Sequence, residues 1–154
     1  MKDLNKKLMI EQLDRKFEKL AVLRDLEISP KGWINAIRTG LNMSLVQLAK
    51  RLKKTSVSVK EIEQREEDKG ITLKKLSEVA EALDCHFVYA IVPKDGTLEK
   101  LIEKRAFEVA KEIVMRTSHT MKLEDQENSD ERIKKAIKDR AEKINNELPK
   151  YLWD

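Results

Sequence analysis

Between residues 44 and 64 the chain reads SLVQLAKRLKKTSVSVKEIEQ, and its apolar positions fall at helical spacing in two short runs. In the first, Leu48, Ala49 and Leu52 share a face, with small Ala49 placed where a second helix can cross closely. In the second, a rotation of about 100° per residue puts Val59 and Ile62 on one side and Ser56, Val57, Lys60, Glu61 and Gln64 on the other. Thr55 suits the N-cap of this second helix, because its hydroxyl can accept an otherwise orphan backbone N–H. The pattern predicts two helices joined by a tight turn, the second packing through one face and presenting the other. An ordinary helical hairpin is the competing reading.

The same periodicity extends on both sides. Leu13, Phe17, Leu20 and Leu23 predict a helix over residues 3–26, broken at Ile28-Ser29-Pro30. Pro30 suits the first turn of a helix over 31–39, whose Trp33, Ile34 and Ile37 are apolar and which Gly40 ends. A polar loop over 65–70 precedes a helix over 72–83 capped by Thr72, with Leu73, Leu76, Val79, Ala80 and Leu83 in step. Residues 86–92 alternate instead: Phe87, Tyr89 and Ile91 point one way and Val88, Ala90 and Val92 the other, which predicts a strand apolar on both faces. No second strand is legible, so Phe87, Val88, Tyr89, Ala90 and Ile91 are expected to pair with the same segment of a second copy in a symmetric homodimer. A short strand packed on its own bundle is the alternative. After a turn over 93–96, Thr97 caps a long helix whose stripe runs from Leu98 and Ile102 through Ala106, Val109 and Ala110 to Ile113 and Val114. That stripe either folds back on the N-terminal helix or crosses a dimer. Residues 118–129 are polar apart from Met121 and Leu123; Ser129 or Asp130 then caps a last helix carrying Ile133, Ile137, Ala141, Ile144 and Leu148. Tyr151, Leu152 and Trp153 at the end are expected to dock on the body or on a partner.

The expected fold class is therefore mainly α: a five-helix-type helix-turn-helix bundle with extra N- and C-terminal helices and one short β-strand paired across a dimer. The expected division is 1–29 as an N-terminal helical extension, 30–92 as the helix-turn-helix domain with its strand, and 93–154 as a C-terminal helical extension.

Composition narrows the functional classes. With 39% charged and 5% aromatic residues, and only four glycines and three prolines in 154 residues, the chain suits helices with solvated outer faces. No apolar run approaches a membrane span, and the N-terminal MKDLNKKLMIEQLD carries acids where a signal peptide is apolar, so the expected location is cytoplasmic. The lone Cys85 excludes an intrachain disulfide and is expected to be a small buried residue; one cysteine and two histidines make no zinc set, and no cofactor is expected. Net charge is +4, but Lys31, Arg38, Lys50, Arg51, Lys53, Lys54, Lys60 and Arg65 face only Glu61 and Glu63 between residues 31 and 65. Such a local excess is the footprint of a phosphate-binding surface.

Ala49, Thr55, Val59 and Ile62 together resemble the helix-turn-helix of the Cro and phage-repressor class, in which the second helix enters the DNA major groove with its N-terminal residues foremost. Lys53 stands where that class often has a glycine in the turn, and Leu45 where it often has a phosphate-touching glutamine. The resemblance implies base reading by Ser56, Val57, Lys60, Glu61 and, at the rim, Gln64. Ser44, Lys54, Thr55 and Ser58 are placed for phosphates, and Lys50, Arg51 and Lys53 add diffuse attraction. Glu61 is expected to confer selectivity more than affinity, because a carboxylate near DNA must find a cytosine amino donor or a cationic neighbour.

Over nearly its whole length the chain resembles the mobile mystery protein A family, through WINAIRTGL, ITLKKLSEVAEALDCHFVYAIVP, HTMKLEDQ and ELPKYLWD. That resemblance implies a sequence-specific double-stranded DNA-binding transcriptional regulator, an autoregulating repressor or antitoxin-like protein on a palindromic operator. It also implies a Fic-domain protein as a partner, and a protein-binding module that neutralises that partner is the alternative function. Thr120 and Glu124 have the spacing of a Fic-inhibiting helix, although Asp125 follows where glycine or asparagine is usual. An enzyme is not expected. Cys85 and His86 are adjacent and so point to opposite faces of a strand, and His119 lies in a polar stretch without a triad or phosphate loop around it.

Overall fold

The computed structural model describes residues 2–118 and 129–154. His119, Thr120, Met121, Leu123, Glu124 and Asp125, singled out above, lie outside them. Seven α-helices span the described residues: α1 (Lys2–Lys19), α2 (Gly32–Gly40), α3 (Leu45–Leu52), α4 (Ser56–Glu67), α5 (Leu73–Ala82), α6 (Leu98–Ser118) and α7 (Ser129–Glu147). Short 3-10 turns at Ala21–Asp25 and Lys150–Trp153 complete the set. The chain is mainly helical, and no helix among the described residues is long and apolar enough to cross a membrane. Two compact units emerge, one of residues 25–90 and one of residues 1–24 with 91–154.

The unit of residues 25–90 holds α2 to α5 around Ile34, Leu48, Ala49, Val59, Ile62, Val79 and Leu83. Leu48, Val59 and Val79 have no exposed surface, so the three helices that carry the predicted stripes meet at their centres. Three helix starts are capped as the side-chain chemistry dictates. Ser44 accepts from the Gln47 amide while the Gln47 side chain accepts from the Ser44 amide, forming a reciprocal capping box. Thr55 accepts from the Ser58 amide and Thr72 from the Lys75 amide, each at 3.1 Å.

Several expected boundaries move. The first helix ends at Lys19 rather than at residue 26, because Leu20 and Leu23 donate to carbonyls three residues back and tighten the chain into a 3-10 turn. Pro30 sits outside α2, in a turn closed by the Gly32 amide on the Ser29 carbonyl. Gly40 does not supply the left-handed stop of α2; Asn42 does, at φ 54°. Residues 65–67 continue α4, and the left-handed position falls on Lys69. Among the described residues no strand forms, residues 86–92 included. The Phe87 and Tyr89 rings nevertheless stack with centroids 5.9 Å apart. Cys85 is half-buried against the core, its thiol 3.4 Å from the Leu83 carbonyl oxygen.

The other unit is built on α6 and α7, with Ile102, Ala106, Val109 and Ala110 of α6 facing Ile137 and Ile144 of α7. The α6 stripe folds on its own chain: α1 also packs on it, and Asp14 of α1 accepts from the Leu98 and Glu99 amides at 2.7 and 3.2 Å. Asp14 places a carboxylate at the positive end of α6, beside the cap that Thr97 supplies to Lys100. The tail docks through Leu152, which is fully buried, while Trp153 and Tyr151 stay largely exposed. Arg105 fixes it by donating to the Leu152 and Asp154 carbonyl oxygens at 2.7 and 2.8 Å.

Candidate nucleic-acid interface

Residues 53–55 make the turn between α3 and α4. Lys53 adopts the left-handed conformation, φ 54° and ψ 44°, and the Lys54 amide reaches back to the Ala49 carbonyl at 2.9 Å. This is a Schellman closure on a non-glycine residue, at a conformational cost of about 1 kcal/mol. Thr55 then returns to extended backbone and caps α4 at once. The direction of α4 is thus set by three consecutive residues and by the burial of Val59 and Ile62.

With that face packed, the opposite one is open. Val57, Lys60, Glu61 and Gln64 are exposed and Ser56 is half-buried, so the five predicted base-reading residues lie on or beside one accessible strip of α4. Gln64 is partly engaged, donating to Asp68 at 3.3 Å. Of the predicted phosphate-contacting residues, Ser44, Lys50, Arg51, Lys53, Lys54 and Thr55 are exposed and Ser58 is half-buried. The Ser44 and Thr55 hydroxyls already accept cap bonds, which leaves each its O–H to donate. Arg51 is tethered, donating to the Ala82 carbonyl at 3.3 Å. Leu45 packs half-buried against the core, so no polar group stands at that position.

Two of the ten charges between residues 31 and 65 are internal. Arg38 forks onto Glu63: Nε donates to Oε1 and Nη2 donates to Oε2 at 3.1 Å, while Asn35 donates to Oε2 at 3.0 Å. Nη1 of Arg38 donates to the Met43 carbonyl at 2.9 Å and so holds the end of α2. Burial alone would push the Glu63 carboxyl up, but the Arg38 and Asn35 hydrogen bonds and the Arg38 and Lys31 charges bring it below the ordinary carboxylate range. The hydrogen bond to Glu63 in turn raises Arg38. With this pair turned inward, the exposed charges between residues 31 and 65 are Lys31, Lys50, Arg51, Lys53, Lys54, Lys60 and Arg65 against Glu61. Nearby, Lys75 of α5 donates to Glu78 at 2.9 Å and lowers its carboxyl pKa.

The sequence pattern missed the groups that hold this frame. Glu66 accepts from the Trp33 and Ile34 amides at 2.7 and 2.9 Å, capping α2 from a helix over thirty residues away. Gly32 makes room for it: at φ +87° a Cβ there would fall 2.6 Å from Glu66 Cδ. Neither Glu66 nor Glu63 can be distinguished in the sequence from a solvated glutamate of α4; the Ser44–Gln47 box was missed as well, although its S-x-x-Q spacing is a signal that could have found it. Comparison with protein-family models, characterised proteins and solved structures gives no match to this chain.

Proposed function

We propose that this chain is a sequence-specific double-stranded DNA-binding regulator of the mobile mystery protein A kind, an autoregulating repressor or antitoxin-like protein. It acts as a homodimer on a palindromic operator. The observation that carries the reading is the exposed strip Val57, Lys60 and Glu61 near the start of α4, in a stretch, residues 31–65, whose exposed charges are seven cations and one carboxylate. A polar, rigidly aimed helix face with such a surround has the chemistry of a major-groove reader. Lys60 suits guanine acceptors, Glu61 a cytosine amino group and Val57 a thymine methyl. Lys54, the Thr55 and Ser44 hydroxyls and Ser58 lie where phosphates flank the groove, and Lys50, Arg51 and Lys53 strengthen the field.

In this reading the segment Phe87, Val88, Tyr89, Ala90 and Ile91 pairs with itself across a two-fold axis. Val88, Tyr89 and Ile91 are 81%, 71% and 87% exposed, which is unusual for three large apolar side chains in one short segment. Two copies place two α4 helices on successive half-sites and double every phosphate contact.

Salt-dependent binding measurements test the division of labour. Lys54→Ala weakens binding to every sequence and lowers the slope of log affinity against log salt by about 0.9 for each bound copy. Val57→Ala and Glu61→Gln instead change which sequence is preferred. Equal losses on all sequences for the three variants contradict the assignment.

A further inference from the structure

The unit of residues 25–90 has a recess of about 360 Å³ on the side where its C-terminal segment departs. Its walls are mainly apolar and include Leu26, Trp33, Leu76, Leu83, Phe87 and Val88. Leu26, Trp33 and Val88 are also among the large apolar side chains that the chain leaves exposed, at 50%, 46% and 81%. Of its polar lining groups, Glu66 caps α2 and the Cys85 thiol faces the Leu83 carbonyl, while the exposed His86 stands at the rim. Nine of its twelve lining residues are apolar, so an occupant supplies mainly apolar volume.

We infer that the occupant is a second copy of this chain, whose Ile91 enters the recess beside Phe87. The inference rests on the self-pairing of residues 87–91 proposed above and specifies what that pairing packs against. A two-stranded ribbon is marginal in water unless one face lies on a helix or a further strand. A stable dimer moreover buries on the order of 1,000 Å² or more, beyond what five residues supply alone. The recess, floored by α2 and α5, is the apolar surface nearest to the segment, and Phe87 and Val88 belong to both. Two-fold antiparallel pairing centred on Tyr89 sets residue 87 of one copy opposite residue 91 of the other. The wall of the recess is at the Phe87 end, so the side chain that arrives there is Ile91 of the second copy, the most exposed large apolar residue among the described ones. Stacking of Phe87 on Tyr89 keeps both rings on one side of the segment, the side that period-two alternation also gives to Ile91.

Sedimentation equilibrium of the full chain, with Leu26→Asp and Ala90→Pro compared against wild type, tests this. Leu26 is half-exposed and outside the helices, so its replacement leaves the monomer fold intact, which the unchanged melting of a dilute monomeric sample verifies. The expected result is a dimer in the wild type, and dissociation constants raised at least tenfold by each variant. Leu26→Met, which keeps the apolar volume, is expected to dimerise within threefold of wild type. A dimer weakened by Ala90→Pro and indifferent to Leu26→Asp overturns the recess assignment while sparing the self-pairing. A wild type that stays monomeric at tens of micromolar overturns both. Dimerisation unaffected by Leu26→Asp, together with saturable uptake of an apolar fluorescent probe into the dimer, overturns the assignment in favour of a small-molecule site.

Discussion

Replacing Glu63 by glutamine removes one charge and almost no volume, and it isolates the Arg38 contact on which the placement of α2 against α4 depends. Both side chains are nearly enclosed, with 12% of Arg38 and 10% of Glu63 exposed, and Glu63 accepts three hydrogen bonds from two residues. Glutamine offers a single acceptor oxygen and turns an amide donor toward the donors of Arg38 or Asn35, leaving a guanidinium without its counter-charge. Removing one member of a buried pair costs about 3–5 kcal/mol, and the residual exposure argues for the lower end, about 3 kcal/mol. In a unit of this size that corresponds to a fall of about 12–24 °C in the melting temperature of residues 25–90. Trp33 reports on this unit and Trp153 on the other, so fluorescence melting in a Trp153→Phe background reads the effect where it arises. The pH dependence follows from the depressed Glu63 carboxyl. Its contribution is fully present above the unfolded carboxylate value of about 4.3 and is lost as pH falls through the lower folded value. The gap between wild type and Glu63→Gln should therefore be constant from pH 7 to about 5 and close below about pH 4. The double replacement Arg38→Met with Glu63→Leu should recover most of the loss, since it leaves no uncompensated charge. A Glu63→Gln variant melting within about 2 °C of wild type at pH 7, or a gap that persists undiminished at pH 3, would refute the reasoning.

Two further substitutions probe the frame of the candidate interface. Lys53→Gly relieves a left-handed backbone position and should raise stability by about 0.5–1 kcal/mol in urea titration, while the loss of a cation lowers DNA affinity; the two effects have opposite signs. Gly32→Ala adds a Cβ at 2.6 Å from Glu66 Cδ and at a positive φ, so it should displace the cap on α2 and cost at least about 2 kcal/mol by the same titration.

Much of this architecture is legible because local signals agree. Thr55 and Thr72 cap where the hydroxyl chemistry says they should, and Leu48, Val59 and Val79 are fully buried where the helical spacing places them. The presented face of α4 follows from the same periodicity, since packing Val59 and Ile62 leaves Val57, Lys60 and Glu61 outside. Elements set by long-range partners were not legible. The internal role of Glu63 and Glu66 depends on the approach of α2, and no spacing in the chain encodes that approach. Asp14 likewise caps a helix 84 residues later. Residues 86–92 show the converse case. Their alternation is plain in the sequence, yet a strand also needs a partner's backbone, and among the described residues none is offered.

Selection of bound DNA from a random duplex pool at physiological salt tests the central claim most directly. The expected outcome is enrichment of a palindrome whose half-site preference changes when Val57 or Glu61 is replaced. Failure to enrich any sequence, under conditions where the protein is folded and dimeric, would contradict it.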